Sequence, residues 1–355
     1  MCESARHNAL KGIVVLVMLM LPLTASAQRT EPLIADHNCI DIDLIPTECI
    51  EQAKSMFMIA YGHTSHGSQI PSGMSVLRNL DPLFDFNATG TNGALVLLES
   101  PAPFSPALDL GNPNRTEWEA GTRRFLSDPT YDHNMIMWSW CGQASSASET
   151  DIDSYLTLMD GLERDYADIT FVYMTGHLDG SGVAGNLHLR NEQIRAFCLA
   201  NNKILFDFAD IESYDPDGNY YLDLGADDGC NYSGGNWAED WCAAHPGECS
   251  SVSCAHSRSL NCDMKGRAFW WMMARLAGGD PSGCQAPLER LMLTKGTDDI
   301  VMVWDDPNTA VLGYNVWYAN LKDEIDLARF VAGSPAVGVG SCTPPDPAFA
   351  TTCTD

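Results

Sequence analysis

Five short apolar runs recur between residues 54 and 278: Met56–Tyr61, Ala94–Leu98, Met135–Trp140, Ile169–Met174 and Ile204–Phe208. None alternates polar with apolar residues. Strands that are apolar at every position need cover on both faces, as in a parallel sheet held between two helical layers. The stretches between them have a helical period. Asp151–Tyr166 sets Ile152, Tyr155, Leu156, Met159 and Leu162 on one side, with Glu149 or Asp151 near its start. Asn191–Ala200 and Lys265–Ala277 read the same way, the latter with Phe269, Trp270, Met273 and Leu276 as its core face. Strands alternating with helices predict a three-layer α/β sandwich around a mainly parallel sheet.

The N-terminus has the order of a secretory signal. Lys11 precedes an apolar stretch, Ile13–Leu23, and Ala25-Ser26-Ala27 supplies small residues for cleavage. Residues 1–27 are therefore expected to be a signal peptide and the protein to be secreted or periplasmic. No later run reaches the ~18 apolar residues of a membrane-spanning helix, so no membrane insertion is expected. A net charge of −27 sets nucleic acid aside as a partner. Of the thirteen cysteines, Cys2 leaves with the signal and an even number remains, which in an exported chain predicts disulfides rather than zinc. Cys39/Cys49, Cys230/Cys242 and Cys342/Cys353 look like local staples, and Cys249, Cys254 and Cys262 crowd together.

Two long loops interrupt the alternation, Pro101–Glu117 and the Gly-, Asp- and Cys-rich Tyr214–Ser253. The second is long enough for a lid or a braced insertion. The main domain is taken as 28–283. After Pro281-Ser282-Gly283 the composition changes to short β-like runs, DIVMVWDDP around Trp304 and GYNVWYAN around Tyr314. Residues 284–355 resemble the opening of a fibronectin type III module, a small β-sandwich. Roughly 70 residues remain where such a module has about 100, so it is expected to be incomplete.

The first apolar run stops at Gly62 and opens into His63-Thr64-Ser65-His66-Gly67. A buried strand that delivers a serine onto a glycine-flanked turn is one way to expose a nucleophile above a sheet. Ala120-Gly121-Thr122 opens a helical stretch whose amides suit an oxyanion, and the third run ends in Cys141-Gly142-Gln143, where the Gln143 amide could donate to the same charge. His256, in Ser253-Cys254-Ala255-His256, lies just before the last helix. A serine needs such an imidazole to take its proton.

In this order the parts resemble the SGNH/GDSL hydrolase superfamily over roughly residues 54–278. Its nucleophile block matches Gly62–Gly67 with Ser65 in the nucleophile's place. Its glycine block matches Gly121, its G-x-N-D block Gly142-Gln143, and its last block His256 with Lys265-Gly266. The resemblance implies a flavodoxin-like sheet and a Ser65–His256 centre, with Gly121 and Gln143 as oxyanion donors. Gly-His-Thr-Ser stands for Gly-Asp-Ser, Ala144 for the Asp, and Ser253 for the acid before the histidine; Asp240 and Asp263 are the remaining candidates for that acid.

His63, His66, His177 and Asp179 are expected to line the substrate pocket. With His188 and His256 they form a histidine cluster that would also suit a transition metal. Asp215, Asp217, Asn219 and Asp223 space oxygen ligands as a calcium loop does, with Ala226 where its closing glutamate would stand. Three functions stay open: an exported serine hydrolase acting on an ester, such as an acyl group on a carbohydrate, with no required cofactor beyond a structural calcium; an extracellular carbohydrate-binding or adhesion protein on a degenerate hydrolase scaffold; and a metal-dependent hydrolase using the histidines.

Overall fold

The structure is a computed structural model that describes residues 29–99 and 102–278, with the backbone of five short strands between 291 and 353. The expected signal peptide and the Cys342/Cys353 pair lie outside the residues whose side chains are described.

Along the chain the elements are β1 (Leu33–Ala35), α1 (Thr47–Met56), β2 (Met58–Gly62), α2 (Gln69–Leu80), β3 (Phe86–Asn87), β4 (Leu95–Glu99), α3 (Glu117–Ser127), β5 (Met135–Trp138), α4 (Glu149–Asp165), β6 (Thr170–Met174), α5 (Asn186–Ala200), β7 (Ile204–Phe206), α6 (Phe208–Ile211), a β8–β9 hairpin (Asn231–Tyr232, Gly235–Asn236), α7 (Trp237–Ala244) and α8 (Ser259–Leu276). The seven strands β1 to β7 form one parallel sheet in the order β1-β7-β6-β5-β2-β4-β3. Each of the five apolar runs supplies one strand. The two edge strands, β1 and β3, are too short to carry a sequence pattern.

Alternation along each strand explains why the runs are apolar throughout. In β5, Met135 and Met137 join a core with α1, α2 and α8, while Ile136 and Trp138 join a second core with α3, α4 and α5. Both faces are buried, so no position is left for a polar residue. Helix α4 starts where its acidic residues suggest: Ser148 caps it and Asp151 closes a capping box, satisfying amides that have no partner inside the helix. Helix α8 begins at Ser259, well before the Lys265 expected from its apolar face.

Two close approaches set the frame of the site. Gly62 ends β2 against the indole of Trp138, where a Cβ would meet the ring at 2.4 Å. Helices α2 and α8 touch backbone to backbone, since a Cβ on Gly73 would lie 1.7 Å from the Cys262 carbonyl oxygen. Only glycine permits that distance, and it brings the start of α2 alongside the start of α8.

The expected staples Cys39/Cys49 and Cys230/Cys242 do not form. Cys242 pairs with Cys249 and Cys254 with Cys262, Cys49 is disulfide-bonded, and Cys39, Cys141, Cys198 and Cys230 are free thiols. Cys39 and Cys230 sit inside the first core, where the fold rather than nearness in sequence chooses the neighbours. Beyond Gly278, Leu291–Lys295 pairs antiparallel with Ile300–Trp304, which pairs with Thr351–Cys353; Tyr314–Trp317 pairs with Val339–Cys342. The rest of the expected fibronectin-like module lies outside the described residues.

Candidate functional site

With β1 and β3 set aside, the strand order is that of a doubly wound sheet whose direction of winding reverses between β2 and β5. In such sheets ligands bind beyond the carboxyl ends of the strands at that reversal. Here the exits of β2, β5 and β6 deliver His63–Ser68, Cys141–Gln143 and His177 to the same rim.

The centre of the site is a continuous chain of three side chains. His66 Nδ1 lies 3.1 Å from Cys141 Sγ, and His66 Nε2 lies 2.9 Å from Asp228 Oδ2. Each group lowers the energy of a charge on the next. The His66 hydrogen bond outweighs burial at Cys141, the Thr64 and Ser65 hydroxyls and the His66 amide add to it, and the thiol pKa falls to about 6. Burial pulls the His66 pKa down, but Asp228 and Cys141 overcome this and raise it to about 9. Asp228 is held below the ordinary carboxylate range, the His66 bond prevailing over burial. Between these limits the pair is a thiolate and an imidazolium, the activated form of a cysteine nucleophile.

His66 is also the middle ring of a stack. His177 lies on one side at 3.7 Å between centroids and 2° between planes, and His256 at 4.3 Å and 10°. His256 reaches this position with φ of +63°, a left-handed backbone uncommon outside glycine. The stack also bears on metal binding. Side-chain atoms of His66, Asp228 and His256 approach one another within 4.8 Å. An imidazole, however, binds a metal in its own plane at ~2.0–2.1 Å. The rings stack with centroids 3.7 and 4.3 Å apart in nearly parallel planes, so an ion held in the plane of one ring lies out of the plane of the next.

A second layer holds these groups. Asp109 accepts from the Thr64 hydroxyl at 2.8 Å and from Gln143 Nε2 at 3.0 Å, while Gln143 Oε1 accepts from the Cys141 amide at 2.8 Å. The Leu178 carbonyl accepts from His177 Nδ1 and from the Asp228 amide. Beneath them Lys265, fully buried, donates to Gln69 Oε1, Glu212 Oε1 and Asn261 Oδ1 at 2.6, 2.8 and 2.9 Å. Glu212 Oε2 accepts from the Leu178 amide and Gln69 Nε2 donates to the Ala255 carbonyl. One buried ion pair thus ties down the residues next to both His177 and His256.

The sequence-predicted residues fare differently. Ser65 and His256 do reach the same rim, yet they are not hydrogen-bonded to each other; the Ser65 hydroxyl lies 3.5 Å from Cys141 Sγ, and His256 packs on His66. Neither Asp240 nor Asp263 bonds to His256: Asp240 takes the Tyr232 hydroxyl and Asp263 takes Arg267. Gly121 is inside α3 rather than at its start, pressed against the Phe104 carbonyl, because the helix already begins at Glu117, whose amide donates to Asn114 Oδ1. Its amide belongs to the helix. The Gln143 side-chain amide is engaged on both sides, donating to Asp109 and accepting from the Cys141 amide, so it braces Cys141. His63 gives Nδ1 to the Thr64 carbonyl, with Nε2 3.4 Å from Glu99, while Asp179 is exposed and accepts from Ser181. In the expected calcium loop, Asp215 accepts from the Asp217 and Asn219 amides, the Asn219 side chain and the Tyr221 hydroxyl. Its oxygens are occupied by the loop's own donors.

Cys141, Asp228 and Asp109 went unassigned in the sequence. Cys141 stood in full view at a strand end, but an even cysteine count suggested a disulfide. Asp228 comes from the long Tyr214–Ser253 loop, where nothing in the spacing sets it apart from its acidic neighbours.

Compared with known proteins, the chain matches no family model, no curated protein and no solved structure. Fold and site together define an α/β protein with a Cys141–His66–Asp228 constellation at the reversal point of its parallel sheet.

Proposed function

We propose that the protein is a cysteine-dependent acyl hydrolase, with Cys141 as nucleophile, His66 as its acid–base partner and Asp228 as the group that orients and charges the imidazole. The uninterrupted path from Sγ through both nitrogens of one ring to a carboxylate carries this reading, because a nucleophile, base and orienting acid within hydrogen-bond reach is the working arrangement of such centres. The thiolate attacks an ester carbonyl, and His66 gives its proton to the departing alcohol. Gly142 follows the nucleophile, and its amide has no acceptor among the described residues; it is the natural oxyanion donor, with the Ser65 hydroxyl beside it. Ser65 thus assists where the SGNH resemblance made it the nucleophile.

The exposed polar groups at the rim, Ser65, Asp179 and His256, suit a polar ester such as an acylated carbohydrate. Two disulfides in the α/β domain suit an exported protein. The test is turnover of short-chain aryl esters by Cys141→Ala and Ser65→Ala. The first should fall to background and the second should keep a measurable fraction of activity. A fluorophosphonate that labels Ser65, with full turnover in Cys141→Ala, would return the nucleophile to the serine.

A further inference from the structure

We propose that His177 is a second catalytic base, the group that activates water against the acyl–Cys141 intermediate; this rests on the cysteine-hydrolase reading above. The first observation is its tautomer. His177 Nδ1 lies 2.8 Å from the Leu178 carbonyl oxygen, which can only accept, so the neutral ring carries its proton on Nδ1 and a lone pair on Nε2. The second is where that lone pair sits. The ring is only 9% exposed, and Nε2 is buried with no hydrogen-bond partner. A side chain on Gly142 would begin 3.8 Å from it, so Nε2 faces the residue that follows the nucleophile. The third is its relation to His66. The two rings are parallel at 3.7 Å, and both nitrogens of His66 are engaged, one with Cys141 and one with Asp228. His177 therefore has a buried, unpartnered ring nitrogen in this stack beside the nucleophile, whereas His256, on the other face of His66, is exposed.

The two halves of the reaction then divide between two imidazoles. In acylation the Cys141 thiolate displaces the alcohol, which leaves with the proton from His66. In deacylation water gives one proton to His177 Nε2 as its oxygen bonds to the thioester carbon. The tetrahedral adduct collapses with cleavage of the C–S bond and returns the thiolate. The acid formed gives its proton to His66, restoring the imidazolium, and His177 releases its proton to solvent. The sum is one ester and one water giving one carboxylate, one alcohol and one proton.

Burst kinetics with 4-nitrophenyl acetate separate the two halves. In His177→Gln the initial burst should persist while steady-state turnover falls by roughly 100-fold or more, the usual worth of a general base. An acetyl group should accumulate on Cys141, seen by peptide mass spectrometry. In His177→Gly, added imidazole should restore turnover without changing the burst, which a purely structural role for the ring would not allow. An unchanged rate of Cys141 alkylation in both variants reports that the thiolate site is intact. If burst and steady state fall together and imidazole gives no rescue, or if neither changes, His177 is not the base. If the wild-type protein gives no Cys141 adduct and Cys141→Ala keeps its turnover, the cysteine reading falls and the role of His177 falls with it.

Discussion

The reactivity of Cys141 is the most direct consequence of the geometry. The thiol is brought from an ordinary value of 9.0 to about 6, so at pH 6 about half of it is thiolate, against about 0.1% for an unperturbed thiol. A less basic thiolate is also a weaker nucleophile. With a Brønsted slope of ~0.4–0.5, lowering the pKa this far costs roughly 15–30-fold in intrinsic rate. The net advantage at pH 6 is therefore about 15–30-fold, and by pH 8 it has reversed. The perturbation is His66→Phe, which keeps a flat ring between His177 and His256 but removes both hydrogen bonds. Iodoacetamide alkylation followed by peptide mass spectrometry of the Cys141 peptide gives the rate against pH. The wild-type inflection should lie near pH 6 and that of the variant near 8.5–9, with the two curves crossing between about pH 7 and 8. Peptide-level readout of Cys141 keeps the assay specific, and the other free thiols among the described residues are less reactive: burial pushes Cys39 and Cys198 strongly upward and Cys230 to about 11. Superimposable profiles, or a wild-type inflection above pH 8, would refute the thiolate–imidazolium pair.

Ester turnover should follow a bell between pH about 6 and about 9: below it the thiol is protonated, and above it His66 lacks the proton the leaving alcohol needs; an acid limb above pH 8 contradicts this. Lys265→Met should lower the unfolding free energy by about 3–5 kcal/mol, because Glu212 is left charged and fully buried; a urea midpoint giving a loss below about 1 kcal/mol would show that the ion pair is dispensable. Gly73→Ala should cost about 3 kcal/mol, since the added carbon meets the Cys262 backbone at 1.7 Å and no side chain there can give way. A near-wild-type melting temperature would mean that the two helices part easily.

How much of this was legible beforehand depended on the kind of interaction. The alternating layout and the five inner strands could be read directly, because burial on both faces leaves continuous apolar runs such as Met135–Trp138. The edge strands β1 and β3 could not, being two or three residues long. The polar, glycine-flanked loop after β2 is legible in the sequence, but the partners its side chains find in space are not. His66 was placed in the pocket while Ser65 took the leading role, because a serine on a strand–loop junction is a local signal. The thiol that charges His66 lies 75 residues further along the chain and the carboxylate 162 residues away.

The sequence alone therefore determined the architecture and the segments that reach the rim, since hydrophobic periodicity is a property of neighbours along the chain. The tertiary structure alone decided which groups meet His66 there: Cys141 at one ring nitrogen and Asp228 at the other, with the Ser65 hydroxyl 3.5 Å from the Cys141 sulfur and Asp240 and Asp263 bonded elsewhere. Hydrogen bonds and pKa shifts act over a few ångströms in space, and only the packing of α2 on α8 and the exits of β2, β5 and β6 bring those distances about.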